Sequence, residues 1–227
     1  MDIMYMAILG FGSLVGGWVS NTLKSKFRKY SQVGVRSGMT GREVAENMLE
    51  YYNVHGVRVV QGKGMLTDHY NPKTKVVSLS PDVYNGRHVA AAAVAAHEVG
   101  HAVQHDTDYP MLQMRSTLVP IVNIASKALS VLFLAAFALM DTMPVLMLVT
   151  VIAFAMTSLF SIVTLPVEFD ASKRALNWLD ETGVAQGAEY DGAKDALKWA
   201  AMTYVVAALS SILMLLYLIF QYSSRRR

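Results

Sequence analysis

The chain contains no cysteine. That excludes disulfides and thiolate metal sites together. Charge is scarce as well: Asp, Glu, Lys and Arg make up 16% of 227 residues, where soluble domains carry about a quarter. Hydrophobic residues reach 53%, a balance that belongs to membrane proteins rather than soluble enzymes. The formal net charge is only +3. Its basic residues follow the ends of apolar runs and form no aromatic-interleaved patch, so a nucleic-acid partner has no support. Met1-Asp2 offers no basic n-region ahead of the first apolar run, and no A-x-A site follows it. The run therefore reads as a retained membrane helix and not as a cleaved signal.

Four apolar stretches stand out: Ile3 to Val19, Leu118 to Met140, Met143 to Leu165, and Ala200 to Phe220. Each is of a length to cross a bilayer, the first slightly short. The expected organisation is a membrane helix over 3–22, a membrane hairpin over 118–165 joined tightly at Asp141-Thr142, and a last membrane helix over 200–222 ahead of a basic tail, 223–227. Gly12 and Gly16 have the GxxxG spacing that allows close helix packing, which alone does not establish a dimer. Asn123 and Lys127 lie one turn apart within the hairpin. Snorkelling of Lys127 to the interface is a simpler account of it than a catalytic part.

Residues 23–117 and 166–199 hold the polar sequence. A basic juxtamembrane stretch (Lys24, Lys26, Arg28, Lys29, Arg36) suits anchoring to anionic lipid. Thr40-Gly41-Arg42-Glu43 is a capping box that starts a helix running to about Tyr52. Val57 to Gln61 and Lys75 to Ser80 read as two short strands, separated by Gly62-Lys63-Gly64 and a turn at Asn71-Pro72. The strand just before the next helix could offer its edge to an extended peptide, or equally could simply cover the core. Pro81 ends the strands, and Asn85-Gly86 turns the chain into a helix over Arg87 to His105.

That helix carries His97-Glu98-Val99-Gly100-His101, a match to H-E-x-x-H. Four residues advance about 6 Å and slightly more than one turn, so His97 and His101 project from one face at a separation one ion can bridge. Glu98 lies about 100° round the helix, displaced from the plane of the imidazoles but within reach of a water activated by such an ion. A match of this kind occurs by chance in roughly one chain of this length in a hundred. Glu and His are also ordinary on solvated helix faces, but here their neighbours are almost wholly apolar.

Catalytic zinc usually takes three protein ligands. His105 continues the i, i+4 series but stands another ~6 Å along the axis. In the longer pattern H-E-x-x-H-x-x-G-x-x-H, the glycine position is Gln104 and the third histidine position is Thr107. The third ligand must come from elsewhere, and Glu168 in LPVEFDASKRAL is the best candidate. Two crossings separate it from His101, which leaves both on one side of the bilayer. With that side cytoplasmic, it carries most of the basic residues near membrane ends, as the positive-inside rule requires, whereas Arg225-Arg226-Arg227 argues the other way.

VYNGRHVAAAAVAAHEVGHAVQH, a membrane hairpin and LPVEFDASKRAL, with DHYNPKTKVVSLS upstream, resemble the YugP-type neutral zinc metallopeptidases of bacterial membranes. More distantly, the layout is similar to HtpX-like membrane metalloproteases. The resemblance covers nearly the whole chain. It implies a mainly α membrane protein with about four transmembrane helices and a small α+β, zincin-like catalytic region with a short sheet. It also implies one Zn²⁺ held by His97, His101 and Glu168, with Glu98 as catalytic base, and a protein or peptide substrate at a bacterial cell membrane. In one respect the chain departs from HtpX-like proteins: four positions after the ligand glutamate they carry an acidic residue, and here stands Ser172. The partner that orients a zinc histidine is thereby left open, Asp170 being a possibility that points elsewhere on a helix. Tyr84, His88, His69 and Arg174 are chemically suited to stabilise an oxyanion. Two other readings compete with an endopeptidase: a structural or sensory zinc site without proteolysis, and a transporter, which lacks inverted repeats and further buried charges.

Overall fold

The computed structural model describes residues 3–139 and 142–224, with the side chain of Ser130 left aside. The chain is helical apart from one small sheet. Its elements, in order, are α1 (Ile3–Tyr30), α2 (Gly41–Tyr51), β1 (Arg58–Gln61), β2 (His69–Asn71), β3 (Val76–Leu79), α3 (Pro81–Tyr84), α4 (Val89–Asp106), α5 (Pro110–Ala138), α6 (Pro144–Glu181) and α7 (Ala188–Ser224). Of the expected connector, Asp141 lies outside the described residues, as does the Arg225–Arg227 tail.

Two compact units divide the chain. One comprises Met1–Trp18, Gln113–Leu165 and Thr203–Arg227; the other Val19–Leu112 and Pro166–Met202. The first unit has the surface of a protein in lipid. Ile3, Leu14, Ile124, Val131 and Leu134 are each at least 70% exposed, more apolar surface than a water-soluble face sustains. By length and composition, α1, α6 and α7 suit membrane spans, and a fourth span is counted if α5, bent by 49° between Leu129 and Val131, crosses as one. Inside this unit Tyr5 packs on Phe133 (centroids 5.5 Å apart) and Tyr217 (5.9 Å). A Cβ on Gly12 would stand 3.1 Å from Ser210 Oγ of α7. The glycine spacing of α1 thus serves packing within the chain. Asn123 and Lys127 are both exposed, in keeping with a snorkelling lysine.

The second unit is a globular core. Thr40 caps α2 by accepting from the Glu43 N–H, and the Glu43 carboxylate accepts from the Thr40 N–H at 2.7 Å. These reciprocal bonds hold the Glu43 carboxyl below its ordinary range. Val44, Ala45 and Met48 of α2 are fully buried with Val77 and Leu79 of β3, the alanines of α4, and Ala175, Trp178 and Leu179 of α6. Alanine on α4 costs little side-chain entropy and lets neighbours approach closely. At Gly100 the approach is tighter still: a Cβ there would meet the Ala171 carbonyl oxygen at 2.6 Å. The α4–α6 crossing is therefore fixed by a residue without a side chain. Gly100→Ala is expected to cost about 1–3 kcal/mol, the range for overpacking a filled core, read as a fall in the thermal midpoint of the purified protein.

The sheet has order β1-β3-β2, with β1 parallel and β2 antiparallel to β3. Two strands were expected and three are present. The extra one, His69–Asn71, is only three residues long and has no alternating pattern by which to recognise it. It also corrects the edge-strand expectation. β3 is central and paired on both sides, so the strand preceding the metal-type helix has no edge to offer. Pro81 opens the short helix α3 after the strands. All of the basic stretch but Arg36 lies within the helix: α1 continues to Tyr30, with Arg28 and Lys29 in its last turn, where cations complement the helix dipole.

Candidate metal centre

His97 and His101 face one way from α4, their rings 4.8 Å apart and nearly perpendicular at 81°. Glu168 enters from α6. Its Oε2 lies 3.3 Å from His97 Nε2 and 3.6 Å from His101 Nε2, and the residue is 2% exposed. Gln113–Leu165 belongs to the other unit, so the chain leaves this one after Leu112 and returns at Pro166 to deliver Glu168. One ligand atom from each of the three residues lies within 4.8 Å of the other two, the one such group of His, Asp and Glu found among the described residues.

The spacing can be tested against an ion. Zinc–ligand bonds are about 2.0–2.1 Å long and tetrahedral, which puts two ligand atoms roughly 3.3–3.4 Å apart. The two distances from the Glu168 oxygen, 3.3 and 3.6 Å, bracket that edge. Nitrogen and carboxylate donors also suit zinc chemically, so the residues fit the metal. Burial disfavours the imidazolium of His101, but the Glu168 carboxylate beside it outweighs burial and raises its pKa. The same negative charge favours a metal cation.

The outer contacts prepare both histidines for metal. Gln104 Nε2 donates to the Val167 carbonyl and to Asp170 Oδ2, each at 2.8 Å, which turns its Oε1 toward His101. That oxygen only accepts, so His101 Nδ1, 3.0 Å away, carries the proton, and the Nε2 lone pair is left for the site. Arg174 Nε donates to the same Asp170 oxygen at 2.6 Å. The residue that broke the longer histidine pattern thus orients a histidine. Ser172, one turn beyond Glu168, brings its Oγ within 3.1 Å of His97 Nδ1. Asp170 does point away from the imidazoles and acts through Gln104. These contacts have a sequence signal after all, i+3 from His101 and i+4 from Glu168, legible once α6 is drawn as one helix.

Glu98 is 8% exposed and has no hydrogen bond or ion pair with another described residue. His105 is held by Tyr70, whose hydroxyl lies 2.9 Å from Nδ1. Among the four oxyanion candidates, His88 Nδ1 is occupied in capping α4 by accepting from the Ala91 N–H. His69 is the exposed residue of β2, Tyr84 lies beneath Arg42, and Arg174 is tied to Asp170 beside Tyr109. None of these contacts joins the His97–Glu168 cluster directly.

Two histidines one helical turn apart, a carboxylate from a distant helix and membrane-length helices on the same chain are the attributes of membrane metallopeptidases as a class. The family model described as "Putative neutral zinc metallopeptidase" matches residues 5–223, and the chain belongs to that family. Over 216 residues, 95% of this chain and 94% of the relative, it is 39% identical to the "Putative membrane protease YugP" of Bacillus subtilis (strain 168). No solved structure matches the chain.

Proposed function

We propose that the chain is a membrane-embedded zinc endopeptidase that hydrolyses peptide bonds of membrane or membrane-proximal proteins. In this reading His97, His101 and Glu168 hold one Zn²⁺ and Glu98 is the general base. The supporting observation is the convergence of three donor atoms from α4 and α6 at tetrahedral-edge spacing. Three protein donors leave a fourth position for water and substrate, whereas structural zinc sites close all four. Bound zinc supplies a Lewis acid that polarises the scissile carbonyl and lowers the pKa of water toward about 7. Glu98 accepts a proton from the attacking water, keeps it on its carboxylate, and passes it to the departing amine nitrogen. Gln104 and Ser172 hold the two imidazoles in one orientation while this happens.

We place the protein in the cell membrane of a bacterium, with the metal side cytoplasmic. Lys24, Lys26, Arg28 and Lys29 beside the first span favour that orientation. The test is metal removal. Purified full-length protein should contain about one zinc per chain and cleave a casein-type substrate, lose cleavage to a chelator, and regain it on addition of zinc. Cleavage that persists in metal-free protein would rule the reading out. Zinc that is bound without any cleavage would favour the structural or sensory alternative.

A further inference from the structure

Beyond the metal centre, α6 and α7 enclose a groove of about 320 Å³. Three lysines reach it, Lys173 from α6 and Lys194 and Lys198 from α7, and no carboxylate lines it. All three are exposed, and none has an ion-pair partner among the described residues. Three unneutralised cations around one concavity make a site for an anion.

The remaining lining says which kind. Phe169 on α6 and Ala201 and Met202 on α7 are apolar, and they occupy the end of the groove from which each helix runs into its membrane-length stretch, Met143 to Leu165 or Ala200 to Phe220. Asn177 and Tyr190 occupy the other end. Leu176 and Leu197 line it as well, so the groove is mainly apolar, with Asn177 and Tyr190 at the end away from the two long apolar stretches and the three lysines between the ends. A small soluble anion has no use for the apolar end. A phospholipid has both parts, an acyl chain for the apolar lining and a phosphate for the lysines. We infer that this groove binds the headgroup of an anionic phospholipid, with the phosphate among Lys173, Lys194 and Lys198 and the first acyl carbons against Phe169 and Met202. Ser172 lines the same groove and contacts His97 Nδ1, so the headgroup lies one side chain from the metal cluster.

The test uses the full-length protein in detergent and native mass spectrometry of retained lipid. Phosphatidylglycerol is compared with phosphatidylcholine of identical acyl chains. The protein should retain phosphatidylglycerol in preference. A variant with Lys173→Gln, Lys194→Gln and Lys198→Gln should lose that binding by roughly 100-fold. A control with Lys63→Gln, Lys73→Gln and Lys75→Gln, exposed lysines outside the groove lining, should match the wild type. Equal retention of the two lipids, or undiminished phosphatidylglycerol binding in the groove variant, overturns the inference. So does displacement of the lipid by inorganic phosphate or an acidic peptide at equal concentration, which would assign the lysines to a soluble anion.

Discussion

Glu98→Gln is expected to keep the metal and lose the cleavage. Glutamine has the shape of glutamate, so α4 and the cluster beside it need not move. Glu98 makes no hydrogen bond to another described residue that the change would break, and the partners that orient the imidazoles, Gln104 and Ser172, are untouched. What is lost is the ability to take up a proton. General-base catalysis contributes about 10²–10⁴-fold, and kcat/KM on a casein-type peptide should fall by that factor. Zinc per chain, measured on the same preparation, should equal wild type. The pair of readouts separates catalysis from folding: a variant that loses metal has been damaged structurally, and one that retains both metal and wild-type cleavage removes Glu98 from the mechanism.

The part of the site on α4 was legible because it is local. His97, Glu98 and His101 lie within one turn and a half, and helical periodicity alone decides which way they face. Glu168 was legible for a different reason. The two apolar stretches between His101 and Glu168 led to the expectation that both lie on one side of the membrane, and its type is that of the missing donor. The fold was readable to the same extent: capped α2, the helix of the motif and the long apolar runs all announce themselves by pattern.

What escaped depends on how elements meet. Ser172 took the place of an acidic residue and left the partner of His97 open, because the sequence does not state how α6 crosses α4. The crossing is set by Gly100 against Ala171, a contact between a glycine and a backbone carbonyl that no hydropathy pattern carries. Once it is in place, Ser172 falls beside His97 and Asp170 falls within reach of Gln104. β2 escaped for a related reason. Its three residues are a strand only because β3 provides the partner. In α1, the basic residues after the apolar run were compatible with continued helix, so charge did not end the element.

The arrangement makes its strongest demand on Glu168. It is the one anionic donor in the cluster and arrives from 71 residues beyond His97. Glu168→Ala leaves two imidazoles, one ligand short of the usual protein complement for catalytic zinc. The loss of affinity should exceed the ~10–100-fold that removal of an outer-shell partner costs, and after dialysis against a limiting zinc buffer the variant should be nearly metal-free and inactive. Glu168→Gln separates charge from shape. The amide fills the same buried volume and still offers an oxygen, but a neutral one, so its zinc content should fall between alanine and wild type. The metal-free forms supply the control for folding. If both variants retain helical content and a cooperative thermal transition close to that of chelated wild type, the metal loss belongs to the site and not to collapse of the α4–α6 crossing. Full zinc occupancy in Glu168→Ala at the wild-type dissociation constant would mean that the third donor is another residue, and the convergence on Glu168 would lose its chemical meaning.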